Sequence, residues 1–195
     1  LTAYNNLFTR DLMLPAGDLR DVKSSIKRAD IIIVTKCKSS LDVIEKEKII
    51  HEINPLPYQS IFFIYLVYAE PYHLFHNQKT RIHSQTTILL ICGIANPKPL
   101  KDFLKDNLHS YDMLRYADHH IFNSDDLADI KKQFEKIENK NKLILTTEKD
   151  AMRLLKYENE LKDYPIYILP VAHNFLFNEG PAFNDLLLKF IKSFP

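Results

Sequence analysis

The stretch Thr87-Ile88-Leu89-Leu90-Ile91-Cys92-Gly93-Ile94-Ala95-Asn96-Pro97 decides how the rest of the chain is read. Its first six residues are apolar almost throughout, without the in-out alternation of a half-solvated sheet, as in a strand covered on both faces. Gly93 interrupts the run, and Asn96 followed by Pro97 supplies a cap and a proline near the first helical position. A strand that passes through a small-residue turn directly into a helix is the repeating step of an α/β architecture.

Outward from that stretch the step recurs. Apolar, β-branched or aromatic runs predict further strands at residues 31–35, 61–68, 110–116, 142–146 and 166–170. Helical periods lie between them. Ser40 is placed to cap a helix through Ile53, and Ser124 precedes Leu127, Ile130, Phe134 and Ile137 on one stripe. A last helix is expected from Pro181, with Phe183, Leu186, Leu187, Phe190 and Ile191 as its buried side. Residues 55–57 and 73–85 read as loops, the second as a turn or small hairpin at a sheet edge. With no repeat, no low-complexity tract and no Gly/Ser linker, the expectation is a single α/β domain over residues 1–195, a mostly parallel sheet flanked by helices.

The composition of these 195 residues is that of a globular protein, 46% hydrophobic and 26% charged. Lys plus Arg number 26 and Asp plus Glu 25, so a net charge of +1 provides no broad field to draw in nucleic acid or anionic lipid. An anionic partner must be met by a local constellation. Cys37 and Cys92 each adjoin an apolar run and form no metal-type pair, so both are expected as buried free thiols. The longest apolar stretch, residues 61–69, falls short of the ~20 residues that span a bilayer. No signal-peptide pattern opens the chain, and its first residues, Leu-Thr-Ala-Tyr-Asn-Asn, read as mid-chain sequence, which leads to the expectation of a piece of a longer protein.

Polar, small and ionisable residues gather just after the strands. Thr35-Lys36, Gly93 to Asn96, Asp118-His119-His120 and Thr147-Glu148-Lys149-Asp150 would all lie at strand carboxyl ends, where open α/β sheets bind their ligands, so one shared cleft is expected. Each has a plainer reading. Thr147 to Asp150 has the spacing of a capping box, and Gly93 suits a tight turn. In Asp118-His119-His120 a carboxylate can orient an imidazole for proton transfer or join it as a metal ligand, while a solvated loop histidine is the ordinary alternative. Near the start, a Pro/Gly turn over residues 14–21 presents Arg20 beside Asp21, a planar donor fork suited to phosphate oxygens next to a hard oxygen suited to Mg²⁺. A local surface ion pair is the alternative there, and Lys27-Arg28 reads as a solvated helix end. None of the three glycines, Gly17, Gly93 and Gly180, belongs to a GxxxxGK[S/T] phosphate loop.

Taken in order, LPAGDLRD (14–21), SSIKRADIIIVTKC (24–37), AEPYHLF (69–75), GIANPKPL (93–100), YADHHIF (116–122) and LTTEKDAMRL (145–154) resemble the tetraacyldisaccharide 4'-kinase family, over nearly the whole chain. The resemblance implies a fold related to P-loop kinases, ATP and Mg²⁺ as cosubstrates, and γ-phosphoryl transfer to the 4'-hydroxyl of the lipid A disaccharide precursor. It implies a membrane-associated helix, a phosphate loop and an acidic cluster ahead of Leu1, at the cytoplasmic face of the bacterial inner membrane, and no nucleic acid partner. Carried over, His119 is expected to orient and polarise a catalytic aspartate. Arg20 and Asp21 are expected near the phosphates and metal, with Asp21 standing where the family more usually has Glu. Lys36 joins Arg20 as a candidate nucleotide contact. Lys36, Glu148, Lys149 and Asp150 match family positions whose roles the resemblance leaves open, and the chain alone is expected to be inactive.

Two rivals come from other classes. Asp118-His119-His120 is similar to a segment of the DHH phosphoesterases, but those need further Asp-rich motifs and a glycine-rich GGGH segment that this chain lacks. A non-catalytic nucleotide- or lipid-binding module is the other, with Val34-Thr35-Lys36 as a loose base-reading match.

Overall fold

A computed structural model of the chain describes residues 1–108 and 110–193. The chain divides into two compact units, Tyr68–Val171 and Leu1–Val67 with Ala172–Pro195. The first unit carries β1 (Thr2–Ala3), β2 (Ile31–Thr35), α1 (Val43–Ile53) and most of β3 (Ser60–Tyr68). The second carries β4 (Tyr72–His73), β5 (Thr87–Cys92), α2 (Lys98–Asn107), β6 (Tyr111–Arg115), α3 (Ser124–Glu135), β7 (Lys142–Thr147), α4 (Glu148–Leu154), α5 (Glu158–Leu161) and β8 (Ile166–Leu169). The chain then returns to the first unit through β9 (Val171–Phe175) and ends in α6 (Gly180–Lys192).

In the second unit the strands lie in the order β4-β8-β7-β5-β6, with β8, β7, β5 and β6 parallel and β4 antiparallel at one edge. The unbroken apolar runs are explained by cover on both faces. Leu89, Ile91, Ile144, Ile166 and Ile168 point into one core, closed by Leu127, Ile130 and Phe134 of α3. Ile88, Leu90, Cys92, Leu143 and Leu145 point the other way, against Leu100 and Leu104 of α2. Each such fully buried aliphatic side chain stabilises the unit by roughly 1.5–3 kcal/mol.

The first unit has its own sheet, β1-β2-β3-β9, in which β2 runs parallel to both β1 and β3. Ile32, Val34 and Phe63 pack with Ile49 and Ile53 of α1 and with Leu7 and Leu176. Two sheets replace the one expected. The boundaries fall inside β3 and inside β9, so the chain crosses between units as strand. No shift in composition marks either crossing, which is why no linker was readable.

Several local expectations change. Asp42, not Ser40, caps α1, accepting from Glu45 N at 2.7 Å. Asn123, not Ser124, caps α3 in a reciprocal box with Asp126. Strands β1 and β9 went unrecognised: the first has two residues, and four of the five residues of β9 are exposed. In α6 no residue is buried; Leu187, Leu188, Phe190 and Ile191 are 39–63% exposed, while Phe183 packs edge-on against Phe62, with ring centroids 5.3 Å apart. The first turn of the helix is thereby anchored on β3. Cys37 and Cys92 are buried free thiols, and burial pushes the Cys37 thiol up to about 11.

Candidate active site

The carboxyl ends of β5, β6 and β7 meet in the second unit, and Asp150 joins them. Thr147 caps α4: its hydroxyl accepts from Asp150 N at 3.2 Å, one half of the expected capping box. The other half is missing, because the carboxylate turns elsewhere. Asp150 has 0% exposure and accepts from Gly93 N at 2.9 Å, from the Thr147 hydroxyl at 2.8 Å and from Arg153 Nη1 at 3.2 Å. A buried carboxylate with three donors is satisfied, and here it ties the turn after β5 to the start of α4. Gly93 is needed for space rather than for backbone freedom. A Cβ there would meet Asp150 Oδ1 at 3.0 Å and the Ala117 carbonyl at 3.1 Å, and no glycine among the described residues has a positive φ.

After β6 the two histidines part company. His120 lies against α3: its Nε2 is 2.8 Å from Asp126 Oδ2, and its ring stacks on Tyr116 and meets Phe122 edge-on. It is a structural residue. His119 sits at φ 63°, in the left-handed region that few non-glycine residues enter, and its side chain is 73% exposed. Its N–H donates to Asp118 Oδ1 at 3.0 Å, a local bond that supports the turn. Lys149 donates to the same Oδ1 at 2.6 Å, and that bond holds the Asp118 carboxyl below the usual carboxylate range. Lys149 Nζ and Arg153 Nη2 each lie 3.3 Å from a ring nitrogen of His119, Nε2 and Nδ1 respectively. Glu148 turns the other way and accepts from Val171 N at 3.1 Å. Beside it, Tyr68, Ile94, Leu100 and Lys149 help line a cavity of about 270 Å³.

Arg20, Asp21 and Lys36 belong to the first unit. The turn that presents Arg20 is closed by Leu19 N donating to Leu12 O at 3.0 Å, and Gly17 is required in it because a Cβ would come 2.4 Å from that carbonyl. Arg20 and Asp21 are exposed and help line a cavity of about 380 Å³ with Leu1, Phe8, Val22 and Ile32. Arg20 has no hydrogen bond or ion pair among the described residues. Asp21 has several: Val22 N donates to it at 2.8 Å and Arg28 Nη2 at 2.6 Å, and its carboxyl is held low first by Ser25 and then by that backbone bond. Lys36, exposed at φ 56°, follows β2 and so stands at the end of a different sheet from Gly93, Asp118 and Thr147. The four polar clusters thus fall as one and three, because β2 bonds to β1 and β3. Among the described residues no group of three or more His, Cys, Asp or Glu is placed to hold an ion. No helix among them is long and apolar enough to cross a membrane.

Arg153 was missed by sequence reasoning. The signal was available: Lys149 and Arg153 are four apart, and residues so spaced share one helical face.

The model of the family described as tetraacyldisaccharide-1-P 4'-kinase matches residues 1–192. Tetraacyldisaccharide 4'-kinases of Bacteroides thetaiotaomicron and Porphyromonas gingivalis are 36% and 31% identical over 98% of this chain, and over 54% and 55% of their own length. The chain therefore spans about half the length of the curated relatives it matches. The crystal structure of LpxK from Aquifex aeolicus in complex with ATP aligns with a TM-score of 0.58 at 15% identity, covering 92% of this chain and 48% of that one. At that identity the likeness speaks for the fold alone.

Proposed function

The chain belongs to the tetraacyldisaccharide-1-P 4'-kinase family, and from that membership we propose that it forms part of an ATP-dependent kinase acting on the 4'-hydroxyl of a tetraacyldisaccharide 1-phosphate. The observation that carries the reading is His119, an exposed imidazole at the carboxyl edge of a parallel sheet, with both ring nitrogens faced by side chains of one helix. Phosphoryl transfer asks a protein for positioning and charge stabilisation more than for covalent help. His119 orients and polarises an acidic base that receives the proton of the attacking hydroxyl. Arg20, with its donor fork unpaired, binds phosphate oxygens as charge builds on them. Lys36 is the second nucleotide contact.

Mg²⁺, when bound, would supply charge neutralisation to the phosphates. Such an ion takes one or two carboxylates, so the exposed carboxylate of Asp21, now bonded to Arg28, would be the residue to hold it. The partners under this reading are ATP, the lipid A disaccharide precursor and the cytoplasmic face of the inner membrane. None of the three glycines forms a phosphate loop, so the 195-residue chain transfers no phosphate alone.

The test is steady-state kinetics of the full-length gene product and its His119→Ala variant. Loss of a group acting in proton transfer lowers kcat by about 100-fold or more, with little change in the KM for ATP. An unchanged kcat removes His119 from the reaction.

A further inference from the structure

We infer that Arg153, anchored on Asp150, is a positioning residue that fixes the imidazole of His119. The inference depends on the kinase reading for its consequence and on geometry for its substance. An exposed histidine on a short loop has nothing of its own to select one ring orientation. Here the ring is met from one side by α4, where Lys149 and Arg153 each lie 3.3 Å from a nitrogen, and Asp118 Oδ2 lies 3.7 Å from Nε2.

A neutral imidazole has one lone pair and one N–H, so only one of the two contacts is a hydrogen bond at a time. Lys149 already has a stronger acceptor in Asp118 at 2.6 Å. Arg153 Nη2 has no other acceptor among the described residues, and a guanidinium offers donors only. Nδ1 is thus the acceptor for Arg153, and Nε2 carries the hydrogen; Lys149 Nζ, itself only a donor, lies 3.3 Å from Nε2, so a carboxylate brought to that nitrogen takes the place of Lys149 beside the ring.

Arg153 is itself held. Its other terminal nitrogen, Nη1, bonds Asp150, which has 0% exposure and is locked by Gly93 N and the Thr147 hydroxyl. A planar fork with one nitrogen on a buried carboxylate and the other on a ring nitrogen transmits the rigidity of the sheet edge to an exposed loop. Lys149 does the same for the loop backbone through Asp118, whose Oδ1 also takes His119 N.

The experiment compares Arg153→Met and Arg153→Lys in the full-length gene product. The expected result is a kcat at least tenfold lower in Arg153→Met with the KM for ATP within twofold. Arg153→Lys should stay impaired, since a single ammonium nitrogen cannot reproduce the fork that holds Asp150 and Nδ1 together. A kcat for Arg153→Met within twofold of the parent overturns the inference, as does an Arg153→Lys variant with the parent's kcat. Should Arg153→Met fail to fold, Arg153→Gln decides by the same criteria. If the parent shows no ATP-dependent lipid phosphorylation, the kinase reading fails and the positioning role is read separately. In the 195-residue chain, the imidazole ¹⁵N resonances of His119 move in Arg153→Met if Nδ1 accepts from Arg153, and stay in place if it does not.

Discussion

The sheet edge around Asp150 and the turn around Gly17 both present an exposed functional candidate, but they hold it in opposite ways. At the first, a carboxylate with 0% exposure collects a backbone N–H, a hydroxyl and a guanidinium, and His119 inherits its place from that cluster. At the second, backbone bonds close the turn between Leu12 and Leu19, and Arg20 projects from it with no partner among the described residues. The contrast separates two tasks. A group that must present one nitrogen in one direction is braced by buried neighbours, whereas a cation that binds by charge and a broad donor fork is left free to meet its ligand.

Asp150→Ala tests the braced region most severely. It leaves the buried Gly93 N and the partly buried Arg153 without their acceptor, and a buried polar group deprived of its partner costs on the order of 3 kcal/mol. Chemical denaturation of the chain is expected to show a loss of about that size. A loss below about 1 kcal/mol would mean that the cluster is wetter and looser than its geometry. A smaller effect separates the two adjacent histidines. His120→Ala removes the bond to Asp126 and the stacking on Tyr116, and is expected to cost about 1–2 kcal/mol of stability with little change in the kcat of the full-length gene product. If kcat falls as far as in His119→Ala, the division between them is wrong.

Apart from Arg153, the residues of the braced region were legible because the chemistry is local in sequence. Strand, small-residue turn and polar cluster follow one another at Cys92-Gly93, Tyr116 to His119 and Thr146 to Asp150, and a parallel sheet brings such ends together. What was illegible is pairing between distant segments. Nothing in Ile31 to Thr35 says that it bonds to Thr2-Ala3 and to Ser60 to Phe63 rather than to the strands that follow, so the expected single sheet became two. The part played by Asp150 was hidden for the same reason: its spacing from Thr147 suits a cap, and only the approach of Gly93, far away in sequence, shows where the carboxylate goes. The exposed half of α6 is a different failure. An apolar stripe specifies what a helix is able to bury, and the cover must come from elsewhere.

The least effect is expected at the free region, and it discriminates between a structural and a functional acid. Asp21 pairs with Arg28, both side chains being more than half exposed, and exposed pairs of this kind add little to stability because water and salt screen them. Asp21→Asn should therefore leave the melting temperature of the chain unchanged within error. In the full-length gene product the same change should raise the Mg²⁺ concentration needed for half-maximal activity, because an amide is a poorer ligand for a hard cation than a carboxylate. A fall in melting temperature with unchanged Mg²⁺ dependence would place Asp21 among the residues that hold the turn together, and would leave Arg20 as the functional group of its segment.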